Sequence, residues 1–281
     1  MAMKCISTEF APSVIMKKFN LFIFLFLSMS SLSWAEVPEL ITDRPDQTES
    51  SYIVAYRHLQ IESGWSYSHE DEDETKTIAQ GFPSTLLRFG IHPRAELRLG
   101  WDGYQSEKTR AQGDVTRFDG GSDIEIGTKI LLWEEKKMRP QTALLIHLSQ
   151  PTGSDHFSTQ RSDPSMRLNF SHSLTEKFSL GYNLGAQWES EAHNDEDRET
   201  LAAWIYTVSL GYSVSERIGG FIEFFGATPI NARGEEKNSI DGGFTFLLME
   251  NVQLDVAVGM GLSSAAEDWI ATMGCSIRLP Q

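Results

Sequence analysis

The sequence predicts an all-β fold: a single antiparallel transmembrane β-barrel of about twelve strands. Three observations predict it. From about residue 59 to residue 279 the chain repeats one pattern, some nine to twelve residues that alternate apolar and polar, followed by a turn or polar loop. In the stretch VQLDVAVGM, residues 252–260, every second residue is apolar and those between are Gln, Asp, Ala and Gly. Successive side chains of a strand point to opposite faces, so one face is greasy and the other polar or small. The connections alternate between short and long, as periplasmic turns and extracellular loops do. Finally, Trp65, Trp101, Trp188, Trp204 and Trp269 fall toward strand ends, where interfacial girdles lie. A soluble sandwich buries its apolar face and has no use for so many long strands with Gly and charge on the second face.

Taken in order, strands are expected at about 57–68, 83–92, 94–104, 122–133, 141–150, 165–173, 177–189, 200–213, 217–227, 239–249, 252–260 and 269–279. The apolar phase runs Leu59, Ile61, Trp65 and Tyr67 in the first, and Ile124, Ile126, Ile130 and Leu132 in the fourth. Short turns fall at 92–94, 133–140, 174–176, 215–217 and 250–251, and longer polar loops at 69–82, 105–121, 151–164, 190–199, 228–238 and 263–267. An even strand number puts both chain ends on the periplasmic side.

The first residues carry an export signal. Met16-Lys17-Lys18 is a basic start, residues 19–32 are an apolar run, and Ser33-Trp34-Ala35 places small residues before a cleavage site at Glu36. The run is too short to span a bilayer comfortably. Residues 1–35 are therefore the expected signal peptide, with Met16 the expected start; a long basic region is the alternative. Domain organisation follows as signal peptide 1–35, an N-terminal segment 36–56, and the barrel 57–281.

Cleavage at that site leaves 21 basic and 38 acidic residues, a net charge of −17. Such a balance excludes nucleic acid as a partner, because phosphates need Lys and Arg. Acidic loop runs such as residues 69–74 and 194–197 are solvated, with a hard cation as the lesser alternative. Cys5 leaves with the presequence and Cys275 stands alone, so the mature chain forms no intrachain disulfide. No phosphate loop, zinc-protease or hydrolase motif is present, and no cofactor, metal or catalytic residue is assigned. His147, on the inward phase, and His172, on the outward phase, are the strand histidines an outer-membrane lipid hydrolase would need beside a Ser. A structural or interfacial role is the plainer reading for both.

The polar phase lines the lumen. It carries Glu62, Arg88, Glu96, Arg98, Asp123, Glu125, Lys129, Arg167, Glu223, Asp241, Asp255 and Arg278, among others. A charge facing lipid would cost a few kcal/mol near the midplane, whereas in a polar lumen it pairs or stays wet. Two readings stay open: an ion-pair network that stiffens the barrel, or a pathway whose charges set selectivity. Inward Phe221 and Phe225 flank Glu223 and suit either an apolar solute or a plug.

Ahead of the first strand lies a polar, aperiodic run, residues 41–50, ITDRPDQTES. It reads as neither strand nor helix. In a lumen holding both signs it is able to fold inside, with Arg44 pairing inward carboxylates and Asp43 or Asp46 pairing inward arginines. Thr42, Asp43, Arg44, Pro45 and Asp46 are the expected plug.

Here the chain resembles a known family. Thr42-Asp43-Arg44-Pro45-Asp46, together with Asp241-Gly242-Gly243, Gln253-Leu254-Asp255, Gly259-Met260-Gly261, Asp268-Trp269 and the last strand from Gly274 to Arg278, is similar to the MetA-pathway of phenol degradation family. The resemblance spans nearly the whole mature chain. It implies an outer-membrane β-barrel of a Gram-negative bacterium that takes part in transport of small aromatic or hydrophobic compounds. It also implies outer-membrane lipid and the barrel assembly machinery as partners. The chain departs from the common barrel ending on an aromatic residue: it ends Arg278-Leu279-Pro280-Gln281, with Leu279 in the aromatic's place. A closed structural or surface-interaction barrel is the second functional class, and a lipid hydrolase the third.

Overall fold

The computed structural model describes residues 39–72, 74–191, 199–231 and 234–280. The expected signal peptide and part of the 190–199 loop lie outside them. The strands are β1 (Leu59–Glu72), β2 (Thr75–His92), β3 (Ala95–Trp101), β4 (Tyr104–Ala111), β5 (Asp114–Gly121), β6 (Ile124–Trp133) and β7 (Gln141–Gln150). They continue with β8 (Asp163–Ser173), β9 (Phe178–Glu191), β10 (Glu199–Ser215), β11 (Ile218–Pro229), β12 (Lys237–Met249), β13 (Val252–Gly261) and β14 (Trp269–Leu279).

Consecutive strands pair antiparallel except β3 with β4 and β5 with β6, and β1 bonds both β2 and β14. The closing seam runs in register from Leu59↔Leu279 to His69↔Trp269. Closure leaves no unpaired edge within the twelve-stave ring, which hydrocarbon would not tolerate, and the one free edge is β5, which pairs with β4 alone among the described residues. The result is a closed antiparallel barrel of twelve staves. The alternation places its apolar phase outward: Leu184, Ile222, Phe244 and Val258 are each more than half exposed. In water that surface would be an aggregation site; against acyl chains it is the membrane skin. The interior is inverted relative to a soluble protein. Its largest fully buried side chains are Arg88 and Lys129, with Gln60, Glu62, Glu96 and Glu223 close behind.

Two loops of the sequence reading are corrected. Residues 69–72, 75–82, 105–111 and 114–121 are strand, not loop. β1 and β2 run on together to Glu72↔Thr75, and β2 leaves β3 to pair with β4 from Phe82↔Tyr104 to Thr75↔Ala111. β3 with β4, and β5 with β6, are each one stave broken at residues 102–103 and 122–123. The break has a local cause. Pro83 has no N–H to give the ladder, and the β1–β2 register shifts between Gly64 and Ser66. Opposite it Gly103 takes φ +85°, and a Cβ there would lie 2.6 Å from the Pro83 carbonyl oxygen. The tip of the β4–β5 hairpin, Gln112 (φ 51°) and Gly113 (φ 94°), has both residues at positive φ, the two-residue turn that matches strand twist. These strands rise beyond the apolar band, so both faces are wet and no apolar period marks them.

Candidate functional site

The N-terminal segment has no ladder of its own, and side chains of the barrel wall bond many of its backbone groups. Glu62 on β1 accepts from the amides of Asp43 (2.9 Å) and Arg44 (3.1 Å). Glu223 on β11 accepts from the Gln47 amide at 2.7 Å, and Glu96 on β3 from the Val54 amide at 2.6 Å. Asn183 on β9 clamps Glu49, accepting its N–H and donating to its carbonyl at 2.8 and 2.9 Å. Lys129 donates to the Ser50 carbonyl, Arg88 to that of Tyr52, Gln60 to that of Ile41 and Arg278 to that of Glu39. These donors and acceptors come from staves all round the ring, so the segment lies across the lumen. A buried peptide group left unpaired is costly, and the inward charges supply the missing partners.

Asp43 is the centre of the contacts. One carboxylate oxygen meets Arg98 at 2.6 Å, Lys129 at 2.7 Å and Arg88 at 3.1 Å. The other accepts from the amide and hydroxyl of Ser50 at 2.9 and 2.8 Å, folding the segment back on itself. Arg98 grips Glu49 through two 2.8 Å bonds from one nitrogen and also reaches Glu96. Arg88 bridges Glu96 and Glu62, each at 2.9 Å. Three cations thus face Asp43, Glu49, Glu62 and Glu96 with almost no water. Such a network gives little net stability but penalises removal of any one member by about 3–5 kcal/mol.

A second contact zone lies on the opposite wall. Arg44 donates to Thr272 at 2.7 Å and to Asp255 at 3.2 Å. Its guanidinium occupies the space above Gly64 and Gly274, a cross-strand pair of β1 and β14, where a Cβ on either would overlap it. Thr48 bonds Thr207 at 2.7 Å and also Glu223. Gln253 donates to Thr42 at 2.7 Å. Glu223 and Asp241 are directly paired across β11 and β12.

Not every inward charge joins. Asp123 sits at the β5–β6 break, where its carboxylate accepts from Thr152, Gly153 and Ser158 and holds the 152–158 loop. Its role there is loop anchoring, which an inward phase alone does not reveal. Glu125 touches the network only through His147: Arg98 donates to His147 Nε2 at 3.1 Å, so the ring proton is on Nδ1, 3.1 Å from Glu125. Arg167 is half-buried beside this group on β8. The nitrogens of His172 face Glu135 and the Met138 carbonyl. Sequence reasoning passed over the roles of Glu49, Thr48, Thr207 and Gly64. The density of short polar residues in 47–51 was the available signal.

Cavities flank the segment. On the short-turn side one of about 330 Å³ is lined by Ile41, Thr42, Tyr52, Ser209, Phe221 and Thr245, among others. On the long-loop side two of about 390 and 490 Å³ share Gln47, Ser66, Gln105 and Thr272. Phe225 lines the first of these and Phe157 the second. Arg44, Pro45 and Asp46 line both the 330 and the 490 Å³ spaces, so they are the partition between them.

The comparisons agree with the closed antiparallel barrel. The family model described as "Putative MetA-pathway of phenol degradation" matches residues 42–279. The chain belongs to this family. Its fold is shared with an outer-membrane channel from Pseudomonas putida, with a TM-score of 0.67 at 12% identity, covering 84% of this chain and 100% of that one. It is also similar to the β domain of the Bordetella autotransporter BrkA (TM-score 0.54, 8% identity, 78% and 98% covered). The translocator domain of the autotransporter NalP from Neisseria meningitidis is similar as well (TM-score 0.51, 10% identity, 78% and 87% covered). No curated protein matches the sequence. At these identities the structural likeness establishes the fold.

Proposed function

We propose that this barrel is a narrow outer-membrane channel, exported through a cleaved signal peptide, whose lumen is plugged by residues 42–51. The observation that carries the reading is the partition: Arg44, Pro45 and Asp46 divide spaces that open toward opposite ends of the same lumen. A purely structural barrel needs no such spaces, because a narrow barrel is readily filled by side chains. The plug is held largely by hydrogen bonds and ion pairs to the wall. Phe221 on one side of Glu223 and Phe225 on the other offer apolar surface in each space. That placement supports small aromatic or hydrophobic solutes as the cargo class, in keeping with the family description.

The test is planar-bilayer conductance and solute uptake of the mature protein with and without residues 36–50. The channel reading predicts that truncation raises conductance severalfold. Absence of both conductance and uptake in either form contradicts it. The second reading, a sealed structural barrel, is favoured by one observation, the complete burial of Arg88 and Lys129; it predicts that truncation lowers thermal stability and opens nothing.

A further inference from the structure

Beyond the apolar band, the extension formed by β1, β2, β4 and β5 has water on both faces, yet its charges are sorted by face. In an antiparallel pair, residues directly opposite share a face. Glu70 lies opposite Thr77, and Glu107 opposite both Ala79 and Phe118, on the face that continues the lumen side. The outward face carries the cations. Lys76 lies opposite Arg110, and Lys108 opposite Arg117. Like charges placed directly opposite destabilise a sheet. The carboxylates on this face are Asp71, which bonds Lys76 at 2.5 Å, and Asp119, opposite Ser106. Lys108, Arg110 and Arg117 make no salt bridge among the described residues. Two like-charged pairs in a chain of net charge −15 leave this face short of anions.

The patch begins just past an exposed aromatic pair on the same face. On the same outward phase Phe82 lies opposite Tyr104, both more than half exposed, and these mark the aromatic girdle. Lys108 is four residues beyond Tyr104, about 13 Å along the strand and less in height once the strand tilts. A cation at that level meets lipid headgroups, and an anionic leaflet attracts it.

We propose that the outward face of β2, β4 and β5, through Lys76, Lys108, Arg110 and Arg117, docks the phosphorylated headgroup of outer-leaflet glycolipid, the lipopolysaccharide class. The phosphates fill the space between the paired cations and remove the cross-strand repulsion. The site is separate from the lumen and holds whether or not the barrel conducts.

The test uses the mature protein in detergent, titrated with lipopolysaccharide, with the same lipid after phosphate removal, and with inorganic phosphate. The wild type is expected to retain the phosphorylated lipid through gel filtration. The Lys108→Gln/Arg110→Gln/Arg117→Gln variant is expected to bind at least about tenfold more weakly. A Lys136→Gln/Lys137→Gln/Arg139→Gln variant, altered in the opposite, periplasmic turn, is expected to bind as wild type. Heat-modifiable migration reports that each barrel is closed. Should the triple variant fail to close, Arg117→Gln alone and the salt dependence of wild-type binding carry the test. Equal binding by the triple variant, equal binding of dephosphorylated lipid, or full displacement by millimolar inorganic phosphate overturns the proposal.

Discussion

Asp43 is where the account is most exposed to a single substitution. Its carboxylate faces Arg88, Arg98 and Lys129 and also closes the turn to Ser50. Asp43→Asn keeps the shape and removes the charge, leaving three buried cations with less to balance them. The loss should weaken docking of the segment by about 3–5 kcal/mol, the usual effect of removing one member of a buried ion network. Limited proteolysis with a Glu-specific protease checks it: cleavage after Glu49 should appear in the variant and not in the wild type, with the barrel's heat-modifiable mobility unchanged. Equal protection of both would mean that the contacts do not hold the segment. Residue chemistry of this kind was partly legible in the sequence. The phase of Glu62, Arg88, Glu96, Arg98 and Lys129 gave their side of the strand, and the mixed charge of residues 41–50 gave a partner for them. Which carboxylate met which cation depends on stave neighbours that the sequence spaces far apart, such as Asp43 and Lys129. The pairing of Gly64 with Gly274 to seat Arg44 was invisible, because a glycine signals room without saying what fills it.

Elements in contact with lipid announced themselves and elements in water did not. The stave Trp269–Leu279 was readable to the residue, since lipid on one side and polar lumen on the other impose a strict period of two. β4 and β5 were read as a loop, because both faces of QSEKTRA and DVTRFDG meet water and no hydropathy period survives. The same physics gives a prediction. Replacing residues 104–121 with a two-residue Asn-Gly turn should leave the barrel closed, because β3 and β6 keep their own ladder from Ala95↔Ile130 to Trp101↔Ile124. Heat-modifiable electrophoresis of the refolded variant should show the folded band at near wild-type yield. A variant with no folded band would show that the hairpin nucleates or closes the barrel rather than extending it.

At the scale of the whole molecule, the barrel is an inside-out protein whose polar interior would be flooded but for the segment crossing it. Its strand ladder needs no plug, since each stave is satisfied by its neighbours. The segment needs the barrel, since Glu62, Glu96, Asn183 and Glu223 supply the partners its backbone lacks. That asymmetry is why we propose the segment, and not the barrel wall, as the part that moves. Thr48 and Thr207 offer a way to hold it, their hydroxyl oxygens lying 2.7 Å apart. The decisive measurement is single-channel conductance of a Thr48→Cys/Thr207→Cys variant in a Cys275→Ser background, with residues 42–47 otherwise unchanged and Asp43→Asn added to loosen the plug. Oxidised, the tethered barrel should be closed; on reduction the same molecules should open to a severalfold higher conductance. Equal conductance in the two redox states, with the disulfide shown to form and to break, would contradict the claim that this segment closes the lumen.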